Sequence, residues 1–242
     1  MLKHLQKLLT AMQVSHDGTL PSIVKNTQKK WITSPGKERW QIQDTLTPKQ
    51  RKAVLDYGTK AGFFREIKPA HQRYDYAIVL GAWVPRMEKR MDYLVKIASA
   101  GVRFKRVILL SGARPLDPET DGMAQHCKTE GDALEFLWKA QPLSKQVPWK
   151  HFQHPLIQTT KGKVRPTTAD TFRYWLSKKP KAGSCFVVSN QPYCHYQQLI
   201  IENILPPKFT YETIGPAVKP SDENATVLLD TIARCLYEMD QS

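Results

Sequence analysis

Twelve residues constrain the fold of this chain more than any others: Asp75-Tyr76-Ala77-Ile78-Val79-Leu80-Gly81-Ala82-Trp83-Val84-Pro85-Arg86. An apolar run stops at a glycine and opens into a basic, helix-like segment. β-Branched and apolar residues in succession, without polar alternation, predict a strand covered on both faces, as in a parallel sheet flanked by helices. Gly81 permits a sharp turn and close approach to the main chain. Ligands of open α/β sheets bind outside the carboxyl ends of the strands, so Gly81 to Arg86 is a candidate site wall. A plain strand-to-helix turn is the alternative.

The pattern recurs. Met87, Met91, Leu94, Val95 and Ala98 trace a helix ending at Gly101, and Arg106-Val107-Ile108-Leu109-Leu110 then runs into Ser111-Gly112-Ala113-Arg114. Two strands joined by one helix make a βαβ unit with a right-handed crossover, which brings Gly81 and Gly112 to one edge. Met123 to Ala140 has the spacing of a further helix, weakened locally by Gly131, and Gln141 to His154 is proline- and aromatic-rich and reads as irregular. Residues 155–159 suggest a short strand and Lys161 to Arg165 a flexible cationic loop. Thr167-Thr168-Ala169-Asp170-Thr171 opens a helix whose free amides, with Arg165 nearby, suit a phosphate or carboxylate; a capped helix with nothing bound is the alternative. Cys185 to Asn190 is a third long strand, Phe209 to Ile214 a fourth, and a last helix follows Ser221-Asp222-Glu223-Asn224. This alternation predicts a doubly wound, mainly parallel α/β sheet of Rossmann-like type over residues 71–242.

Residues 1–70 read differently. Leu2, Leu5, Leu9 and Met12 recur at helical spacing, and Thr47-Pro48 is a helix start with an N-cap threonine and proline in the first turn. Between them, residues 21–40 look irregular, with Trp31 and Trp40 as anchors around a turn at Ser34-Pro35-Gly36. A basic helical appendage is predicted. It carries +8 of the +14 net charge, so the excess is densest here. Such a charge favours acidic partners, and the lysines with the two tryptophans fit single-stranded nucleic acid; a solvated basic face and a tryptophan-lined seam are the stronger readings.

Four cysteines without a CxxC pair point to a reducing compartment rather than a disulfide scaffold. No apolar run approaches the roughly 20 residues that span a bilayer, and the Lys-threaded N-terminus lacks the apolar segment of a secretory signal. A cytoplasmic location is expected. His151 and His154, three apart with no adjacent carboxylate or cysteine, make a poor metal pair, so no metal is expected. Neither a GxGxxG fingerprint nor a Walker loop is present. Nothing in the pattern sets an oligomeric state.

The ordered series Val79-Leu80-Gly81 with Arg86 and Arg90, Leu110-Ser111-Gly112, Glu130, Thr168-Ala169-Asp170 and Val187-Val188-Ser189-Asn190 resembles the bacterial ElyC/SanA/YdcF family, over residues 75 to about 205. The resemblance implies a Rossmann-like fold whose loops line a cleft for a nucleotide-like or phosphorylated ligand, with S-adenosylmethionine or another nucleotide as cofactor candidates. The sequence departs from the family pattern at Ala113, Thr167, Asp170 and Thr171. On this reading Gly81, Ala82 and Gly112 admit the ligand to the main chain, Arg86 and Arg90 pair with its anionic oxygens, and Ser111, Thr168, Ser189 and Asn190 supply polar contacts. Glu130 and Asp170 are the candidate general bases and His195 the proton shuttle, for a transferase or hydrolase. Pairing with a core arginine is the alternative role for Glu130. The competing function is a degenerate family member acting as an interaction protein through its basic N-terminal region.

Overall fold

The structure is a computed structural model that describes residues 4–32, 44–123, 126–160 and 162–241. In chain order its elements are α1 (Leu5–Ala11), α2 (Leu20–Trp31), α3 (Pro48–Ala61), β1 (Arg73–Leu80), α4 (Val84–Ser99), β2 (Arg103–Gly112), α5 (Glu130–Lys139), a 3-10 turn (Pro142–Lys145), β3 (Trp149–His154), β4 (Ile157–Thr159), β5 (Gly162–Val164), α6 (Thr168–Ser177), β6 (Ser184–Val188), α7 (Cys194–Glu202), β7 (Thr210–Ile214) and α8 (Asp222–Asp240). They form two compact units. One joins residues 1–66, 191–199 and 217–242; the other joins 67–190 and 200–216. The expected boundary at 70 has its counterpart at 66/67, and the last helix, expected in the sheet domain, belongs with the N-terminal helices. The physical reason is its apolar face: Leu228, Ile232 and Leu236 bury against Leu9, Val54 and Phe63.

The α/β unit holds a five-stranded parallel sheet in the order β3-β2-β1-β6-β7, so the fold is Rossmann-like as the alternation predicts. From β1 the chain builds outward through β2 and β3, then returns to lay β6 on the other side of β1. The topological switch point lies between β1 and β6. Both faces of β1 are covered. Ala77 and Val79 share a cluster with Met87, Met91 and Leu94 of α4 and Leu134 and Trp138 of α5, while Ile78 and Leu80 share one with Phe172 and Trp175 of α6 and Ile201 of α7. Each such valine or leucine contributes roughly 1.5–3 kcal/mol by leaving water, which is why an unbroken apolar run marks a central strand.

Four local expectations are corrected. Gly162–Val164, expected within a flexible cationic loop, form β5 and pair antiparallel with β4. Residues 149–154 form β3 rather than an irregular stretch; an edge strand is half-exposed, so its pattern is polar. The helix expected over 123–140 begins only at Glu130, because Thr129 and Asp132 close a capping box there. The supposedly irregular residues after Pro21 form α2, whose N-cap Thr19 and first-turn proline start a helix burying Ile23, Val24, Thr27 and Trp31. Trp31 is therefore core rather than a stacking platform. Trp40 and the Ser34-Pro35-Gly36 turn lie outside the described residues.

Candidate functional site

The two glycines that end β1 and β2 are both pressed against side chains of the chain itself. A Cβ at Gly81 would overlap Glu130 Oε1 and lie 2.9 Å from Ser111 Cβ, and one at Gly112 would lie 2.5 Å from Pro166 Cγ. The absence of side chains, expected to admit a ligand, is in this structure what lets Glu130 and Pro166 approach.

Glu130, at the start of α5, is 8 % exposed. Its Oε1 accepts the Gly112 N–H at 3.2 Å and its Oε2 faces Arg114 Nε at 3.3 Å. The Arg114 fork reaches further, to both oxygens of Asp121 at 2.9 and 3.0 Å. Asp121, 2 % exposed, also accepts the N–H groups of Asp117 at 2.8 Å and of Val84 at 3.2 Å. The last contact is a cap. Trp83 at the N-cap of α4 offers no side-chain oxygen, so Asp121 from the next loop takes the first amide of the helix, and Trp83 Nε1 donates to Thr120 O at 2.8 Å. Two carboxylates thus share one guanidinium in a dry place. Burial pushes the Glu130 carboxyl above its ordinary range, and Arg114 and the Gly112 amide offset this only in part. At Asp121 burial acts the same way but is outweighed by the Arg114 fork and the two amides, which hold its carboxyl low. Glu130 is the member of the trio that takes a proton more readily, and the alternative foreseen for it, a buried arginine partner, is present.

At the switch point Arg90, 2 % exposed, donates from Nη1 to Leu80 O at 2.7 Å and Gly81 O at 3.1 Å, and from Nε to Asn190 Oδ1 at 3.0 Å. It straps the ends of β1 and β6 together. Ser189 is buried, with its N–H on Ile214 O at 2.8 Å. Ala82 and Arg86 are half-buried, and the Arg86 guanidinium lies 5.9 Å from the centroid of the Trp83 ring.

On the other flank, Thr167 caps α6. Asp170 Oδ2 accepts the Thr167 N–H at 2.8 Å and Oγ1–H at 2.7 Å, while Thr167 Oγ1 accepts the Asp170 N–H at 3.3 Å. The carboxylate proposed as a general base is the acidic half of a capping box. Thr168, half-buried, is the first residue of that helix, and Arg165 is near enough to Glu130 to oppose the rise in its pKa.

The structure gathers Gly81, Ser111, Gly112 and Glu130 around one point and Arg90 and Asn190 around the adjoining strand end. His195 belongs to the helical unit, where its ring meets Phe63 edge-on at 4.9 Å, Nε2 has no hydrogen-bond partner among the described residues, and burial lowers its pKa. The histidine of the site is His151. Its Nε2 is 2.8 Å from Ser111 Oγ, its Nδ1 is 3.0 Å from Glu135 Oε2, and Glu135 Oε1 is paired with Lys139 at 2.6 Å. Lys139, and after it His151, hold the Glu135 carboxyl below its ordinary range, so it is ionised. Recognising β3 as a strand beside β2 was the signal needed to find His151.

No group of three or more metal-ligating side chains occurs among the described residues, and none of their helices is long and apolar enough to cross a membrane. No family model, curated protein or solved structure matches the chain.

Proposed function

We propose that the α/β unit binds a small anionic ligand, nucleotide-like or phosphorylated, at the carboxyl edge of its sheet. One observation carries this reading: Arg90, Ser111, Arg114, Asp121, Glu130 and Asn190 are all buried at the ends of β1, β2 and β6, the edge that holds the switch point. Buried charges are a poor way to stabilise a fold, and a carboxyl with a raised pKa at such an edge is a mark of functional sites. Arg86 and Arg165, with the Thr168 and Ala169 amides that open α6, are the groups this reading assigns to the anion. The test is thermal unfolding against a panel of nucleotides, S-adenosylmethionine and sugar phosphates, with Arg86→Ala alongside. A ligand at about 100 times its Kd stabilises by roughly 2.7 kcal/mol; the expected result is a shifted midpoint that Arg86→Ala abolishes. A shift retained in the variant places the ligand elsewhere.

A second reading, an interaction protein working through its basic helical unit, is favoured by another observation. Asp121 and Glu130 already fill two places that a ligand anion would take, and residues 4–32 carry Lys7, Lys25, Lys29 and Lys30 against the single acid Asp17. Lys25 and Lys29 are exposed one turn apart on α2. An acidic partner captured by the full chain and lost on Lys25→Glu with Lys29→Glu supports it; capture unchanged by the double variant removes it.

A further inference from the structure

We infer that Ser111 is a nucleophile, with His151 as its general base and Glu135 as the residue that orients that base, and that the chemistry is acyl transfer to water from a small ester. The inference rests on reading the carboxyl edge as the functional one and names a reaction there. Geometry supplies the argument. Glu135 is ionised and can only accept, so the 3.0 Å contact puts the ring hydrogen on Nδ1 of His151. In the neutral ring Nε2 then carries the lone pair, and the Ser111 O–H donates to it at 2.8 Å. A hydroxyl, a base within hydrogen-bond reach and a carboxylate behind the base are the parts that activate a serine, whatever their order in the chain.

The residues come from rigid elements. Ser111 lies at the end of β2, His151 on the paired strand β3 and Glu135 on α5, which packs against both strands. In the reaction Oγ adds to the ester carbonyl carbon as its proton passes to Nε2. The tetrahedral intermediate then expels the alcohol, which takes that proton, and water repeats the sequence to release the acid and restore Ser111. The N–H after the nucleophile, on Gly112, is the natural donor to the oxyanion. In this structure it is held by Glu130 Oε1 across 3.2 Å. Ser111 is only 1 % exposed, and Glu130 is the side chain packed beside it and Gly81. Substrate entry therefore displaces the Glu130 carboxyl, and the ester oxygen replaces it on the Gly112 amide.

The test is covalent labelling of the full-length protein by phenylmethylsulfonyl fluoride, read by intact mass and peptide mapping, with thermal unfolding to confirm that each variant is folded. One adduct on Ser111 is expected, absent in Ser111→Ala and formed at least 100-fold more slowly in His151→Asn. Glu135→Gln, whose side chain is a third exposed and leaves the core intact, is expected to slow labelling about tenfold, and Glu130→Ala to accelerate it. Absence of an adduct on Ser111 in both the wild type and Glu130→Ala overturns the inference, as does labelling of Ser111 at an unchanged rate in His151→Asn and Glu135→Gln. A nucleotide-induced thermal shift without any adduct leaves the binding reading standing while this one fails.

Discussion

The two edges of the same parallel sheet treat charge in opposite ways. At the amino edge, Arg73 and Arg103 face each other across β1 and β2 in the open, exposed Lys105 pairs with Asp75 at 2.7 Å, and Ser184 closes the group by donating its N–H to Asp75 at 2.8 Å. At the carboxyl edge, Arg90, Arg114, Asp121 and Glu130 are sealed from water, each bonded to backbone as well as to side chains. Water screens the first set, so its pairings are worth little. The second set has only its own members, so each partner matters. Charge at an exposed edge is what any basic surface carries; charge carried into a dry edge requires a geometry that keeps every atom paired, and that geometry also fixes the loops in place.

The contrast is broken most severely at Asp121. Asp121→Ala removes the fork from Arg114, the first amide's acceptor on α4 and a partner of the Asp117 amide in one step. A loss of about 3–5 kcal/mol is expected, the scale for leaving a buried charge without its main partner, measured by urea unfolding at neutral pH. A loss below about 1 kcal/mol would mean that the trio is solvated in solution and that the two edges do not differ. Gly81→Ala comes next. Its Cβ meets Glu130 and Ser111, and overpacking of this kind costs about 1–3 kcal/mol; the same substitution at exposed Gly122, where the added Cβ meets nothing, changes only backbone strain.

Glu130→Gln separates charge from shape. Because burial raises the Glu130 pKa, the folded chain binds that proton more tightly than the unfolded chain does. Between the unfolded value near 4.5 and the raised folded value, the native state holds more protons, so stability contributed by this group is present at low pH and falls as pH rises through that window. The amide removes this dependence. Glu130→Gln is therefore expected to match the wild type at pH 4 and to equal or exceed it, by on the order of 1 kcal/mol, at pH 8. A variant less stable than the wild type at pH 8 alone would show that the pairing with Arg114 outweighs burial.

How far the sequence displayed these features depends on whether a residue's role is set by its neighbours in the chain or by neighbours across the fold. The apolar run Ala77 to Leu80 announces a central strand because burial on both faces leaves no room for polar alternation. Caps at Thr47 and Thr167 are equally local, since the cap and its partner are three residues apart. The burial of Arg90 was not legible, because it depends on Asn190 a hundred residues away; for Glu130 the sequence leaves a general base and a partner of a core arginine both open, because the partner, Arg114, is brought to it only by the fold. The surroundings of His151 and His195 are hidden in the sequence for the same reason. A histidine's usefulness is decided by what its ring nitrogens touch, and β3 carries too many polar residues to announce itself as a strand. Asp170 has a local explanation as a capping-box acid, three residues after Thr167.

The smallest effect belongs to the amino edge. Lys105 and the N–H and Oγ–H of Ser184 hold the Asp75 carboxyl down at about 2. A depressed acid contributes stability that is complete above its unfolded value, near 3.8, and is lost as pH falls toward about 2, so the contribution of Asp75 is constant in the neutral-pH experiments above. Asp75 is partly exposed and Lys105 largely so, which discounts the pair to no more than about 1 kcal/mol. Lys105→Ala is expected to cost less than that at pH 7 in low salt and to cost almost nothing in 0.5 M salt, where screening removes the attraction but leaves the Ser184 bonds. Asp75→Asn should resemble Lys105→Ala, because the Ser184 N–H and Oγ–H, at 2.8 and 3.1 Å, both end on Oδ2, a place the amide oxygen can take, while the Lys105 attraction through Oδ1 is lost in either variant. If Lys105→Ala proved as damaging as Asp121→Ala, the amino edge would be as dry as the carboxyl edge, and burial would no longer distinguish the edge proposed to bind ligand.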